Sequence, residues 1–379
     1  MTNKLRFVAT TYAGLEQVLA EELIGLGADD VEEGRRSVYF EGNLALMYKA
    51  NYSLRTALKI LMPLRSFRIK RVDDLYHQVS KIKWEEYFGV NQTFAIQSKV
   101  FSELFSNSMF ASLKAKDAIV DRFRRIDGKR PSISINNPEI LINLHISNSN
   151  NCTISLDSSG DSLHKRGYRT GSHEAPISEV LAAGMIKLSG WSGEEPLRDP
   201  MCGSGTIVIE AAMMAKNVLP GESRQNYSFQ KWKGYDPELF KMMKSQNEHT
   251  QLGYTIFGSD ISRENIDLAY KNAEKANVLD VVQLEIADFR RLEKKESSFL
   301  LFNPPYGERI KSGDQAFYSM VGERLKHHFP NTTSWLISTN ECLKSIGLKP
   351  EVKIPLYNGS LSCSFREYKL YKGSKKSSN

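Results

Sequence analysis

Residues 197–215, LRDPMCGSGTIVIEAAMMA, are typical of a short strand, a glycine-rich loop and an apolar helix. Gly203 and Gly205 allow a tight turn and let a ligand approach the backbone just before the helix begins. The loop lacks the Gly-Lys-Ser/Thr of a nucleotide phosphate loop and the third glycine of the dinucleotide fingerprint. Asp199 instead puts a carboxylate before the loop, which favours a cationic sulfonium and amino-acid ligand over a polyphosphate. An ordinary strand-to-helix turn has the same pattern, so the neighbouring segments must decide.

The next two segments continue the alternation of strands and helices. A strand over 253–260 ends at Asp260, a helix is predicted over 263–276, and a further strand over 281–286 precedes Asp288 and Phe289. In doubly wound folds, an acid at the end of the second strand binds the ribose hydroxyls of the ligand. We expect Asp288 to accept from an adenine amine and Phe289 to pack on the ring. Each acid alone is also a common turn residue, but their succession favours a cofactor site.

The apolar run 298–302 predicts a buried strand that ends at Asn303-Pro304-Pro305-Tyr306. The Asn303 side-chain carbonyl and the Pro304 backbone carbonyl can accept hydrogen bonds from an exocyclic amine, and proline has no N–H to compete. The Tyr306 ring offers a face on which a flipped base can stack. A strand followed by a plain proline turn is the alternative. Because a cofactor site is predicted upstream, we interpret the four residues as an amine-holding methyl-acceptor site.

The remaining C-terminal segments complete a predicted seven-stranded α/β sheet. They are a helix over 315–329, a strand over 333–338 and a hairpin over 353–370 whose turn is Asn358-Gly359. An insertion over 216–251 contains several aromatic residues. We expect its aromatics to pack on the core, and a role facing the substrate is the alternative.

The N-terminal half has a different pattern. A strand over 5–10, a helix over 14–26 and a strand over 37–42 predict a small α+β unit. From residue 55 to 156 the chain is basic with interspersed aromatics, and it contains a predicted helix over 113–125 and strands over 132–135 and 141–146. The net charge of +7 suits a polyanionic partner, although a basic helix face is often only a solvated surface.

These motifs together resemble the class I S-adenosylmethionine (SAM)-dependent methyltransferases, and more narrowly those that methylate the N2 amine of guanine in RNA. The segments 158–169 and 175–183 resemble the stretch and the helix that lead into the cofactor loop of that branch. Residues 61–67, 116–121 and 151–157 resemble a THUMP domain, an RNA-binding module whose family implies a preceding ferredoxin-like unit. The chain is most similar to bacterial large-subunit rRNA guanine-N2 methyltransferases, in a form with a single methyltransferase domain.

The resemblance implies a domain organisation. We expect a ferredoxin-like α+β unit over 1–54, a THUMP-like RNA-binding domain over 55–157, a Rossmann-like class I methyltransferase domain over 158–372 and a basic flexible tail over 373–379. It also implies a function, methylation of guanine N2 in 23S rRNA with SAM as the cofactor. Rival functions are tRNA guanine-N2, DNA adenine-N6 and protein glutamine methylation, or an RNA chaperone with a vestigial cofactor pocket.

The motifs and the resemblance also give site residues. The expected catalytic residues are Asn303, Pro304 and Tyr306. The expected cofactor-binding residues are Asp199, Pro200, Cys202, Gly203, Ser204, Gly205, Thr206, Asp260, Ile261, Asp288, Phe289 and Asn303. The expected RNA-binding residues are Arg65, Arg68, Lys70, Lys116, Arg122, Arg125, Lys129 and Arg309.

Other sequence features narrow the class of protein. There is no apolar run near 18 residues and no signal peptide, so we expect a cytoplasmic protein. The four cysteines are scattered without Cys-x-x-Cys spacing, so no metal site is predicted. Structured RNA (rRNA, or else tRNA) is the expected partner, and the sequence leaves open whether the protein is a monomer or a homodimer.

Overall fold

The computed structural model describes residues 4–171, 176–293, 299–306 and 314–372. Its N-terminal half is one eight-stranded mixed sheet with strand order β2-β3-β1-β4-β8-β7-β5-β6. In chain order its elements are β1 (Leu5–Thr10), α1 (Glu16–Gly25), β2 (Asp29–Gly34), β3 (Ser37–Gly42), α2 (Leu44–Ser53), β4 (Lys59–Arg68), α3 (Val72–Val79), β5 (Thr93–Val100), α4 (Ser108–Asp127), β6 (Ser132–Ile133), β7 (Ile140–Ile146) and β8 (Asn151–Asp157).

The predicted elements of this half are present, and local patterning explains them. Phe7 and Ala9 alternate inward on β1, and α1 buries one stripe that includes Leu19 and Leu23, as its spacing predicts. β4 pairs with both β1 and β8, so a single sheet runs through the expected ferredoxin-like and THUMP-like segments. The sequence interpretation did not assign a helix or strand to the segments of β2, α2, β4, α3, β5 and β8. β2 is an acidic edge strand with no buried residue, so it has no apolar alternation.

The C-terminal half is a seven-stranded sheet with order β11-β10-β9-β12-β13-β15-β14. Its elements are α5 (Glu179–Leu188), β9 (Leu197–Asp199), α6 (Thr206–Ala215), α7 (Pro237–Lys244), β10 (Ile256–Asp260), α8 (Arg263–Lys275), β11 (Val282–Ile286), β12 (Phe299–Phe302), α9 (Asp314–His328), β13 (Thr332–Ser338), α10 (Asn340–Lys344), β14 (Val352–Asn358) and β15 (Leu361–Leu370). The predicted seven-stranded α/β sheet is therefore confirmed.

The strand order determines where a ligand site can form. β9 pairs in parallel with both β10 and β12, and the chain reverses its direction of winding between these neighbours. Such a switch point opens a crevice at the carboxyl ends of the strands. β15 runs antiparallel to β13 and forms a hairpin with β14. The two residues of the hairpin turn are Gly359 and Ser360, one position later than predicted, because Asn358 still pairs with Leu361.

The insertion between α6 and β10 packs on the N-terminal half. Phe229 stacks on Tyr48 of α2 with ring centroids 4.6 Å apart, and Phe240 contacts Tyr48 and Tyr52 edge-on at 5.8 and 6.1 Å. The Gly221 N–H donates to the Tyr52 carbonyl at 2.8 Å. The expectation that these aromatics pack on a core is correct, and the core that they join belongs to the N-terminal half.

A buried ionic cluster also connects the two halves. Arg166 and Glu210 are almost fully buried, with the Arg166 Nε 3.5 Å from the Glu210 Oε1. The Tyr168 hydroxyl donates to the same oxygen at 3.1 Å. Arg166 donates to the Arg55 carbonyl at 2.5 Å, and Arg55 donates to the Val218 carbonyl at 2.8 Å. Burial raises the pKa of Glu210, and the charges of Arg166 and Arg55 oppose that shift.

Among the described helices, none has the length and apolarity needed to cross a membrane.

Candidate functional site

A cavity of about 300 Å³ lies at the carboxyl ends of β9, β10 and β12, in the crevice that the strand order predicts. Most of the expected cofactor-binding residues line it, namely Asp199, Pro200, Cys202, Gly203, Ser204, Thr206, Asp260, Ile261, Asp288, Phe289 and Asn303. Gly205, Pro304 and Tyr306 are not part of its lining. The three segments that the sequence interpretation joined are therefore adjacent in space. The binding roles of the individual residues remain predictions.

The glycine loop contains two residues with a positive φ angle. Gly203 has φ 52° and Gly205 has φ 83°, in the left-handed region where a side chain is disfavoured. The Gly205 N–H donates to the Cys202 carbonyl at 2.8 Å, and α6 begins at the next residue. The Gly203 N–H donates to Asp260 Oδ2 at 3.0 Å, so the acid at the end of β10 fixes the loop after β9.

Asp199 is 1% exposed, and its Oδ1 accepts from the Met201 N–H at 3.0 Å. Burial raises the pKa of this carboxyl well above its usual range. The bond from Met201 opposes the shift, while the charge of Asp260 adds to it. Asp260 itself accepts from the Ser262 N–H at 2.9 Å and from the Asn265 amide at 3.2 Å. Two acids therefore share one cavity wall, which is an environment that favours a cationic ligand.

The adjacent wall of the cavity contains Asp288 and Phe289. Asp288 Oδ1 accepts from the Arg290 N–H at 3.0 Å and caps a short helical turn. Phe289 is buried, and its ring stacks on Phe329 at 5.8 Å with an interplanar angle of 6°. One face of the Phe289 ring is therefore already covered. Its predicted packing on an adenine ring would use the edge or face that lines the cavity.

Asn303 and Tyr306 have different environments at the end of β12. The Asn303 Oδ1 is buried and accepts no hydrogen bond in the described part of the chain. Tyr306 is 5% exposed, and its hydroxyl accepts from the Asn358 amide at 2.7 Å. Pro304 is buried, and the Pro305 carbonyl accepts from the Tyr318 hydroxyl at 3.1 Å. The Tyr306 ring thus packs in the core here rather than facing the cavity, and its stacking on a base stays a prediction.

Several residues outside the expected set hold the glycine loop in place. Arg169 donates to Thr206 Oγ1 at 3.2 Å and to Glu179 Oε1 at 2.9 Å. From the other side, the Asn272 amide donates to the Ser204 carbonyl at 3.1 Å. Arg169 belongs to the segment 158–169 that carried the resemblance, but only the fold shows which atoms it contacts.

The expected RNA-binding residues do not form one surface. Arg65 donates to Gln78 of α3 at 3.1 Å on the helix-covered face of the N-terminal sheet, whereas Arg68 is exposed on the opposite face. Both Glu85 oxygens accept from Arg122, at 2.6 and 2.8 Å, so much of that charge is neutralised. Lys116 forms a salt bridge with Asp117, with its Nζ 2.5 Å from the Asp117 Oδ1. The exposed residues of the set are Arg68, Lys70, Arg125 and Lys129, and Arg309 lies outside the described residues.

Three family models match the chain. Residues 166–367 match the methyltransferase domain described as RMKL-like, residues 70–157 match the THUMP domain, and residues 6–61 match the RlmL ferredoxin-like domain. The predicted methyltransferase, THUMP and ferredoxin-like units are thereby confirmed. The exact boundaries proposed between these units remain a proposal.

Curated relatives cover nearly the whole chain. A Synechocystis protein whose name proposes an RNA methyltransferase is 37% identical over 96% of this chain and 97% of its own length. The ribosomal RNA large subunit methyltransferase K/L of Psychromonas ingrahamii is 38% identical over 97% of this chain. The chain spans only 50% of the length of that relative.

The solved structures agree with this relationship. SMU.472, a proposed methyltransferase solved in complex with S-adenosylhomocysteine (SAH), is 30% identical with a TM-score of 0.87. The alignment covers 99% of this chain and 100% of SMU.472. Both halves of the fold and their arrangement therefore have a counterpart in a solved structure.

Proposed function

Because the chain belongs to the RMKL-like methyltransferase family, we propose that it methylates the exocyclic N2 amine of a guanine in 23S rRNA, using SAM. The buried carbonyl oxygen of Asn303 carries this proposal, since it lines the cofactor cavity and accepts no hydrogen bond within the described residues. A buried acceptor without a donor is costly, and an incoming amine would satisfy it. The names of the K/L relatives support rRNA as the substrate.

The residues of the cavity fit the proposed cofactor. Asp199 and Asp260 give one wall an acidic character, which suits a ligand with an ammonium and a sulfonium group. The positive φ of Gly203 and Gly205 keeps side chains away from the loop where the ligand would lie. When bound, SAM supplies a methyl group that is already activated for transfer to a nucleophile.

The task of the protein is then to position the acceptor. Asn303 holds the amine by its side-chain carbonyl, and the Pro304 carbonyl accepts a second N–H, so the nitrogen lone pair is directed into the cavity. Arg169 and Asn272 hold the glycine loop, which is expected to bind the cofactor, in a fixed position. Orientation and proximity supply most of the rate, and the nitrogen loses its proton to water after transfer. No strong general base is required by this mechanism.

The N-terminal half supplies RNA binding in this proposal, with residues 1–54 and 55–157 as its two units and residues 158–372 as the catalytic unit. The THUMP match supports this division of labour. A cytoplasmic location follows from an rRNA substrate and is part of the same proposal.

The decisive experiment is transfer of a tritiated methyl group from SAM to separate pools of rRNA, tRNA, DNA and protein from cells that lack the gene. We expect label in 23S rRNA, and digestion should release N2-methylguanosine. Label in DNA as N6-methyladenine, in tRNA alone, or in glutamine side chains would contradict the proposed substrate.

Asn303→Ala should lower the rate of methyl transfer by more than about 100-fold, because the acceptor amine is no longer held in the orientation that transfer requires. SAM affinity, measured by calorimetry, should stay within a few-fold of the wild type. Asn226→Ala is the matched control, since Asn226 is exposed and does not line the cavity, and it should keep normal turnover and SAM affinity. Normal turnover by Asn303→Ala would exclude the assigned role.

A further inference from the structure

One face of the N-terminal sheet carries a polar row across four strands. Lys99 on β5 pairs with His145 on β7, His145 pairs with Thr153 on β8, and Thr153 pairs with Ser66 on β4. Directly paired residues place their side chains on the same face of a sheet. The Ser66 and Thr153 hydroxyls lie 3.1 Å apart, and Lys99 and His145 are exposed. This face is opposite to the one that carries the apolar core under α3 and α4.

Phe101 extends the row with an aromatic ring. It lies two positions after Lys99, so it projects from the same face, and its N–H donates to the Ile146 carbonyl at 2.8 Å. Phe101 is 63% exposed, and its ring centroid lies 5.8 Å from that of His145 at an interplanar angle of 57°. The backbone is thus fixed by the sheet while the ring remains accessible.

The cations on this face are available to a ligand. The side chains of Lys99 and Arg68 form no salt bridge and no hydrogen bond with any described residue, in contrast to those of Arg122 and Lys116. Arg68 pairs with Asn151, two residues along β4 and β8 from the Ser66–Thr153 pair, so its side chain lies on the same face as the polar row. Partial desolvation of its ring, together with the charge of Lys99, lowers the pKa of His145, which favours the neutral imidazole that can stack on a base.

We propose that Phe101 and His145, with Lys99 and Arg68 beside them, form a stacking platform for unpaired nucleotides of the RNA substrate. This inference rests on the proposed RNA methyltransferase function. Exposed aromatic rings next to unpaired cations are the elements with which proteins bind single-stranded RNA, since rings stack on bases and cations bind phosphates. A symmetric contact between two copies is disfavoured, because it would place the Lys99 and Arg68 charges of both copies in one interface.

The test compares two RNA hairpins with the same stem, one blunt and one with a single-stranded tail of about ten nucleotides, a length within the range of known sites. The wild type should bind the tailed hairpin more tightly. Phe101→Ala should weaken binding of the tailed hairpin by about 5- to 20-fold and leave the blunt hairpin unchanged. Phe101→Trp should restore the preference. Lys99→Gln should reduce the slope of log affinity against log salt for the tailed hairpin by about 0.7.

Ile24→Ala is the matched control, because Ile24 on α1 is 61% exposed and lies away from this face. It should bind both hairpins like the wild type. The platform is excluded if Phe101→Ala keeps the preference for the tail, or if it weakens both hairpins equally. A wild-type dimer that Phe101→Ala converts to a monomer would assign this surface to self-association instead. A wild type that transfers no methyl group to any RNA would overturn the proposed function as well, whereas methylation without tail preference overturns the platform alone.

Discussion

The Asp199 carboxyl lowers the stability of the cofactor-free protein and is expected to help bind the cofactor. Its carboxyl is buried, its pKa is raised by that burial, and Asp260 lies near enough to raise it further. A carboxyl whose pKa is raised in the folded state destabilises that state at any pH where the unfolded chain is ionised. The same carboxylate is expected to attract the cationic end of the cofactor. The residue thus trades stability of the free protein for affinity.

We expect Asp199→Asn to stabilise the cofactor-free protein at pH 7 and to weaken SAM binding by about 10- to 100-fold, the loss typical of a bond to a charged group. The stability gain should be absent below about pH 4, grow as the pH rises towards the folded-state pKa of Asp199, and then stay constant. Denaturant unfolding at several pH values and calorimetry of SAM binding measure the two effects. A gain that shrinks with rising pH would contradict this account.

At the scale of elements, the junction between the glycine loop and α6 is tightly constrained. Gly205 has φ 83°, and a Cβ there would lie 3.0 Å from the Ala269 Cβ on α8. Gly205→Ala should therefore cost about 1–2 kcal/mol for the backbone alone and also displace α6 from α8. We expect SAM affinity to fall because the loop moves.

Gly347→Ala is the control for this effect. Its φ of 70° imposes a similar backbone strain, but an added Cβ there has no atom within 4 Å. It should lower the melting temperature by about 2–4 °C per kcal/mol and leave SAM affinity unchanged. Equal SAM affinity in both variants would show that the contact with Ala269 does not position the loop.

The same elements show what sequence reasoning could and could not predict. The strand ends at Asp199, Asp260 and Asn303 were predictable because apolar periodicity and terminal polar residues are local signals. β2 was missed because an acidic edge strand buries nothing. The contact of Arg169 with Thr206 joins residues 37 positions apart, and no local pattern encodes it. The Tyr306 hydroxyl likewise accepts a hydrogen bond from Asn358, which is 52 positions away.

At the scale of the whole molecule, the insertion joins the N-terminal half to the C-terminal half. Phe240 on α7 is 4% exposed and contacts Tyr48, Tyr52 and Phe229. Phe240→Ala should cost about 3–5 kcal/mol of unfolding free energy, as large-to-small changes in a core do. Because the loss falls at the junction, we expect unfolding of the two halves to separate into two transitions.

Met242→Ala on the same helix is the control, since Met242 is 55% exposed. It should change stability by less than about 0.5 kcal/mol. Circular dichroism and tryptophan fluorescence during denaturation report the two transitions. A Phe240→Ala variant as stable as Met242→Ala would show that the aromatic contact does not hold the halves together.

The buried cluster of Arg55, Arg166 and Glu210 bears on how new substrate preferences can arise in such a protein. Arg55 belongs to the N-terminal half, yet it donates to carbonyls at the end of α6 and helps to compensate the charge of Glu210. A recombination event that exchanged the N-terminal half would have to bring an equivalent guanidinium and matching partners for Phe240. We therefore expect an exchange of one half alone to destabilise the fold. Exposed residues such as Phe101 and Lys99 take no part in this junction, so the proposed RNA contacts can change without loss of the contacts between the halves.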